Sequence, residues 1–176
     1  MILPDTKDWT WVLERKCDQC GFDTKTHVAL AVPGLTRETA MEWKNLFLAG
    51  GVVGERPNEN TWSPLEYACH VRDLFRLFHL RISLMKEEDN PIFDNWDQDE
   101  TAISHRYNEQ EPVACIEDLV ASGYELADLI DGISPEEWKR TGRRTDGASF
   151  KIDTLVLYMI HDPIHHLWDV KHNVTK

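Results

Sequence analysis

The chain has 176 residues, with 19 lysines and arginines against 31 aspartates and glutamates and a formal net charge of −12. That balance excludes the cationic footprint needed on nucleic acid or on an anionic membrane surface, so neither is an expected partner. Hydrophobic content of 41% and charged content of 28% suit a globular domain, and no apolar run approaches the ~20 residues of a membrane span.

Met1–Asp8 has no basic stretch followed by an apolar one, so no secretory leader is expected. The four cysteines then fit a reducing, cytoplasmic setting better than a disulfide framework. Residues 1–35 read as an irregular arm. Trp9-Thr10-Trp11-Val12-Leu13 alternates weakly like a strand, and Cys17-Asp18-Gln19-Cys20 and Pro33-Gly34 read as loop.

Residues 36–172 read as one helical domain. The first helix is predicted over Arg37–Ala49, capped by Thr36 and ended by Gly50-Gly51. In the second, Ser63-Pro64-Leu65-Glu66 is a capping box with proline at the first helical position. Its apolar residues run through Leu65, Cys69, Leu74, Leu77, Leu80 and Leu84 to an end near Glu87. A long connection follows, carrying Phe93 to Asp99. The third helix spans Pro112 to Asp131, with Ile116, Leu119, Val120, Gly123, Ala127 and Ile130 on one stripe. Ser134-Pro135-Glu136-Glu137 caps a short turn at Trp138, Arg143–Ser149 is polar loop, and the fourth helix runs from Asp153 to Lys171. Four amphipathic helices with almost no strand pattern define an all-α four-helix bundle. Connections of about twenty residues after helices two and three imply at least one crossover.

The fourth helix carries His161-Asp162-Pro163-Ile164-His165-His166. At about 100° per residue, His161 and His165 share a face and can grip one ion, whereas His166 points about 100° away. His70, beside Tyr67 and Leu74 on the second helix, is the natural third ligand for an open, catalytic metal position. Hydrogen-bonded core histidines are the competing reading. Pro163 should kink or open the helix between the two ligands. Tyr67, Trp96, Tyr158 and Trp168 are candidate pocket residues, with core packing as the alternative for Tyr158 and Trp168. Asp97 and Asp99 are candidates for a general base or an imidazole-orienting carboxylate over the metal mouth, or are simply solvated. Cys17 and Cys20 could be part of a second zinc site, a redox pair or ordinary thiols; only His27 is nearby in sequence as a further zinc ligand. No phosphate loop or serine-hydrolase motif is present.

Thr61-Trp62-Ser63-Pro64-Leu65-Glu66-Tyr67-Ala68-Cys69-His70 and the His161–His166 run together resemble the DinB/YfiT-like superfamily of four-helix metalloproteins. Cys17–Asp23, Trp96–Asp99, Tyr107-x-x-Gln110 and Arg144–Gly147 extend the likeness over residues 9 to 172, as in one subgroup with C-x-x-C-G-F-D and H-D-x-x-H-H motifs. The resemblance implies a DinB/YfiT-like fold with crossover connections and a divalent metal on His70, His161 and His165. It also implies an enzyme acting on a small molecule: a transferase or isomerase using a low-molecular-weight thiol, or a hydrolase. Imidazoles suit zinc, nickel, copper and iron alike, with zinc or nickel expected. A homodimer is also consistent with the family. A metal-braced binding module without activity is the alternative, and a metal-free histidine core a third.

Overall fold

Ser63 starts the longest helix as the sequence dictates. Its hydroxyl accepts from the Glu66 amide at 3.2 Å, and the Glu66 carboxylate accepts from the Ser63 amide at 2.8 Å. In the computed structural model, which describes residues 8–173, this helix is α2, Pro64–Glu87. The segment read for a leader therefore lies, except for Asp8, outside the described residues. Around α2 stand α1 (Val32–Leu48), α4 (Pro112–Asp131) and α5 (Ile152–Asn173), with the short α3 (Gln98–Ser104) in the connection before α4. None of these helices is long and apolar enough to cross a membrane.

α4 packs along both α1 and α2, and α5 closes the ring against the same two helices. The order round the bundle is thus α1–α4–α2–α5. Helices that follow one another in the chain, α1 and α2, and α4 and α5, lie across a diagonal, which is why long connections are needed. Gly123 lets α4 approach closely. A Cβ there would meet Ala40 Cβ at 3.0 Å and Phe75 Cε2 at 3.1 Å. The thiols of Cys69 and Cys115, solitary in sequence, face each other across the α2–α4 contact at 3.1 Å.

Several expectations are corrected. α1 begins at Val32 rather than Arg37, because Pro33 sits in its first turn, where a missing N–H costs nothing. Thr36 is no cap; its hydroxyl donates to the Val32 carbonyl inside the helix. Leu80 is 67% exposed, while the buried face turns through Phe75, Phe78 and Ile82. The polar loop at Arg143–Ser149 is a hairpin joining β2 (Thr141–Arg144) to β3 (Ser149–Lys151), with β1 (Ile92–Phe93) parallel to β2. Gly147, at φ +99, makes the turn. Trp9–Leu13 is a 3-10 turn, not a strand, capped by Asp8. The arm is folded against α5 with Val12, Cys17 and Phe22 buried. α5 continues through Pro163 without interruption.

Candidate metal centre

Two faces of α5 each carry an i, i+4 pair, one residue out of phase. Asp162 and His166 turn toward α2, where they meet His70. His161 and His165 turn toward the arm, where they meet Cys17 and Cys20. In each set, one donor atom per residue lies within 4.8 Å of all the others. The expected trio of His70, His161 and His165 is therefore divided between two donor sets. A rotation of about 100° between neighbouring residues makes 161/165 and 162/166 equally good pairs, and only the position of α2 selects between them. The run carries both pairs, and its spacing alone does not single out Asp162 and His166.

The α2-facing set is tightly drawn. His70, fully buried, places Nε2 3.1 Å from Asp162 Oδ1, and His166 Nε2 lies 3.5 Å from the same oxygen. Ligands about 2.0–2.2 Å from a common tetrahedral centre lie roughly 3.3–3.5 Å apart; the His166 separation falls in that range and the His70 one, at 3.1 Å, is slightly shorter. His166 Nδ1 lies 3.1 Å from Asp169 Oδ2, an acceptor, which assigns the proton to Nδ1. In the neutral imidazole Nε2 then presents a lone pair toward the Asp162 carboxylate. A cation between them, or a second proton on His166, resolves that opposition. Burial would push the Asp162 carboxyl up, but His166 and His70, when they carry a second proton, hold it well below the usual carboxylate range. The His70 ring stacks on Trp96 at 4.9 Å and 6°, and His166 packs on Tyr67 at 4.8 Å.

On the arm-facing side, Cys17 Sγ lies 3.6 Å from His165 Nδ1. Burial, then the neighbouring His165, push the His161 imidazole down to about 4, so it is neutral. Burial pushes the Cys20 thiol up to about 12. His27, the ligand suggested by proximity in sequence, instead stacks on Phe22 and faces the Asp23 carbonyl at 2.8 Å.

A cavity of about 850 Å³ opens beside both sets. Asp162, His161, His165 and His166 line it together with Trp9, Trp96, Asp97, Asp99, Tyr158, Arg81 and Arg144. Of the four aromatic candidates, Trp96 and Tyr158 are lining residues. Tyr67 sits behind His166, and Trp168 stacks on His172 at 4.3 Å. Asp97 caps α3, its Oδ1 accepting from the Glu100 amide at 2.8 Å. Arg81 is 5% exposed. Its Nη2 donates to the Asp94 carbonyl at 2.6 Å, but its Nε is sealed from solvent with no hydrogen-bond partner among the described residues. Burial, then the charge of Arg144, lower the Arg81 guanidinium to about 10. Arg144 is paired with Asp146 at 2.7 Å and donates to the Tyr158 hydroxyl at 3.3 Å.

A helical bundle with diagonal crossovers and paired donors on its last helix defines a class, and the DinB superfamily model matches residues 37–170. The chain belongs to that superfamily. Among solved structures it is similar to YfiT from Bacillus subtilis, described as a probable metal-dependent hydrolase with an unusual four-helix bundle topology. The TM-score is 0.71 at 14% identity, covering 82% of this chain and 86% of that one, a likeness of fold. No curated protein matches the sequence.

Proposed function

We propose that this protein is a divalent-metal-dependent enzyme whose ion is held by His70, Asp162 and His166. The observation that carries the reading is the convergence of two imidazoles on one carboxylate oxygen, at 3.1 and 3.5 Å, at the edge of a cavity. A divalent ion with an open position acts as a Lewis acid and lowers the pKa of a bound water or thiol. Asp169 fixes the His166 tautomer, and the Trp96 ring holds the His70 plane. Three protein ligands leave room for substrate, the arrangement of catalytic rather than structural sites.

Arg81 and Arg144 define the substrate class. Two guanidiniums on the cavity wall favour an anionic group beside them, so the substrate is read as a small molecule carrying a carboxylate or similar group. The fold it shares with a probable metal-dependent hydrolase supports hydrolysis as the reaction. Thiol-dependent transfer or isomerisation is the second reading. It is favoured by the cavity volume of about 850 Å³, which accommodates a small thiol beside a small substrate.

Metal-loaded protein assayed on small anionic esters and amides, with and without a low-molecular-weight thiol, tests both readings. Turnover is expected to require metal and to vanish in His70→Ala and His166→Ala. Arg81→Met is expected to raise KM for anionic substrates more than for neutral ones. Turnover that survives both histidine substitutions overturns the assignment.

A further inference from the structure

We propose that Cys17, Cys20, His161 and His165 form a second metal site, a closed zinc centre that fastens the N-terminal arm to α5. It stands on donors other than those of the proposed catalytic set. The residues come from segments about 140 positions apart, yet one donor atom of each lies within 4.8 Å of all the others. Within the set, Cys17 Sγ lies 3.6 Å from His165 Nδ1, and the rings of His161 and His165 lie 5.1 Å apart. With zinc–sulfur and zinc–nitrogen bonds of about 2.3 and 2.0–2.1 Å at the tetrahedral angle, the expected sulfur–nitrogen edge is about 3.6 Å.

The surroundings are those of a structural centre. Cys17, His161 and His165 are buried, and Cys20 is half-buried. Trp9 lies 5.6 and 5.2 Å from the rings of His161 and His165, and Phe22 closes the site 5.7 Å from His161. The knuckle carrying the two thiols is closed by Cys17 N donating to Phe22 O at 2.8 Å and Gly21 N donating to Cys17 O at 3.0 Å. His161 Nε2 is sealed from solvent without a hydrogen-bond partner among the described residues, a state that coordination relieves. Two thiolates neutralise a divalent cation, so the loaded site carries no net charge into the interior. Loading releases two thiol protons per ion. Four protein donors fill a tetrahedron, so no position remains for substrate. The site's effect on the cavity is positional: it holds the segment that places Asp8 and Trp9 on the cavity wall.

The test is cobalt and zinc loading of the reduced, full-length, untagged chain. Wild-type protein is expected to bind about two equivalents of metal. Its cobalt form should show thiolate-to-cobalt charge-transfer absorption. Cys17→Ser with Cys20→Ser should lose that absorption and one equivalent. His70→Ala with His166→Ala should keep the absorption and lose the other. If the cysteine variant does not fold, the wild-type spectrum still decides the matter. Absence of charge-transfer absorption in the reduced wild type, or its persistence in the cysteine variant, overturns the proposal. Undiminished stoichiometry in the His70/His166 variant overturns the catalytic set and leaves this site standing.

Discussion

Asp169 is the carboxylate that touches both donor sets, and replacing it separates their strengths. Its Oδ2 lies 3.1 Å from His166 Nδ1 but 3.7 Å from His165 Nε2. The first distance is a hydrogen bond to the ring that faces Asp162; the second is too long for one. Losing a hydrogen-bonded carboxylate behind a metal-binding imidazole typically weakens the metal about 10–100-fold. Asp169→Ala is therefore expected to weaken metal at His70, Asp162 and His166 by about that factor, or roughly 1.4–2.8 kcal/mol. Binding at the cysteine-containing set should change by less than about threefold, because no hydrogen bond is lost there. Competition against a chromophoric chelator, read beside the thiolate-to-cobalt absorption, distinguishes the two. Equal weakening at both sets, or none at the His70 set, refutes the reasoning.

Gly123→Leu forces a side chain into the space held by Ala40 and Phe75, with contacts of 3.0 and 3.1 Å already at the Cβ. It is expected to cost at least about 1–3 kcal/mol in urea unfolding, and an unchanged midpoint refutes the close approach of α4. Ser63→Ala removes the hydroxyl that caps α2 and should cost about 1 kcal/mol, with Ser63→Thr retaining most of it. Asp73 accepts from Arg72 Nε at 2.8 Å, Tyr107 Oη at 2.7 Å and His105 Nδ1 at 3.1 Å. Burial opposes its ionisation, but these partners outweigh burial and hold the carboxyl below its ordinary value. A lowered folded value means that the unfolded chain binds the proton first. The stabilisation is thus complete above about pH 4 and is lost as pH falls through the folded value. The stability difference between metal-free wild type and Asp73→Asn should shrink below about pH 4, and a difference constant from pH 6 to 3 refutes the network.

The long helices were legible because local rules and burial agree in them. The Ser63 capping box and Pro112 at a helix start mark ends that the structure keeps. The arm was not legible, because what orders it lies far away in sequence. Val12 and Phe22 bury against a helix whose pattern gives no sign of the contact. The small sheet escaped for a similar reason: strands of two to four residues, one paired through a crossover, have no room for a period. At the site the residue types were readable and their grouping was not. His161-Asp162-Pro163-Ile164-His165-His166 contains two overlapping pairs, and C-x-x-C supplies two donors in need of two more. Combining these would have matched the cysteines to one histidine pair and left the other pair for His70. Helical spacing cannot say which neighbour covers which face.

The staggered pairs on α5 also make the helix a vernier. Sliding its sequence one position forward against the rest of the bundle would hand His161 and His165 to α2 but turn Ile160 and Ile164 to the cysteines, and sliding it one position back would offer Asp162 and His166 to the cysteines but turn Pro163 and Leu167 to α2. A carboxylate would then replace an imidazole opposite sulfur. A single inserted or deleted residue upstream in α5 would therefore strip one donor set of its helix pair and give the other set a different pair, leaving every donor present in the chain.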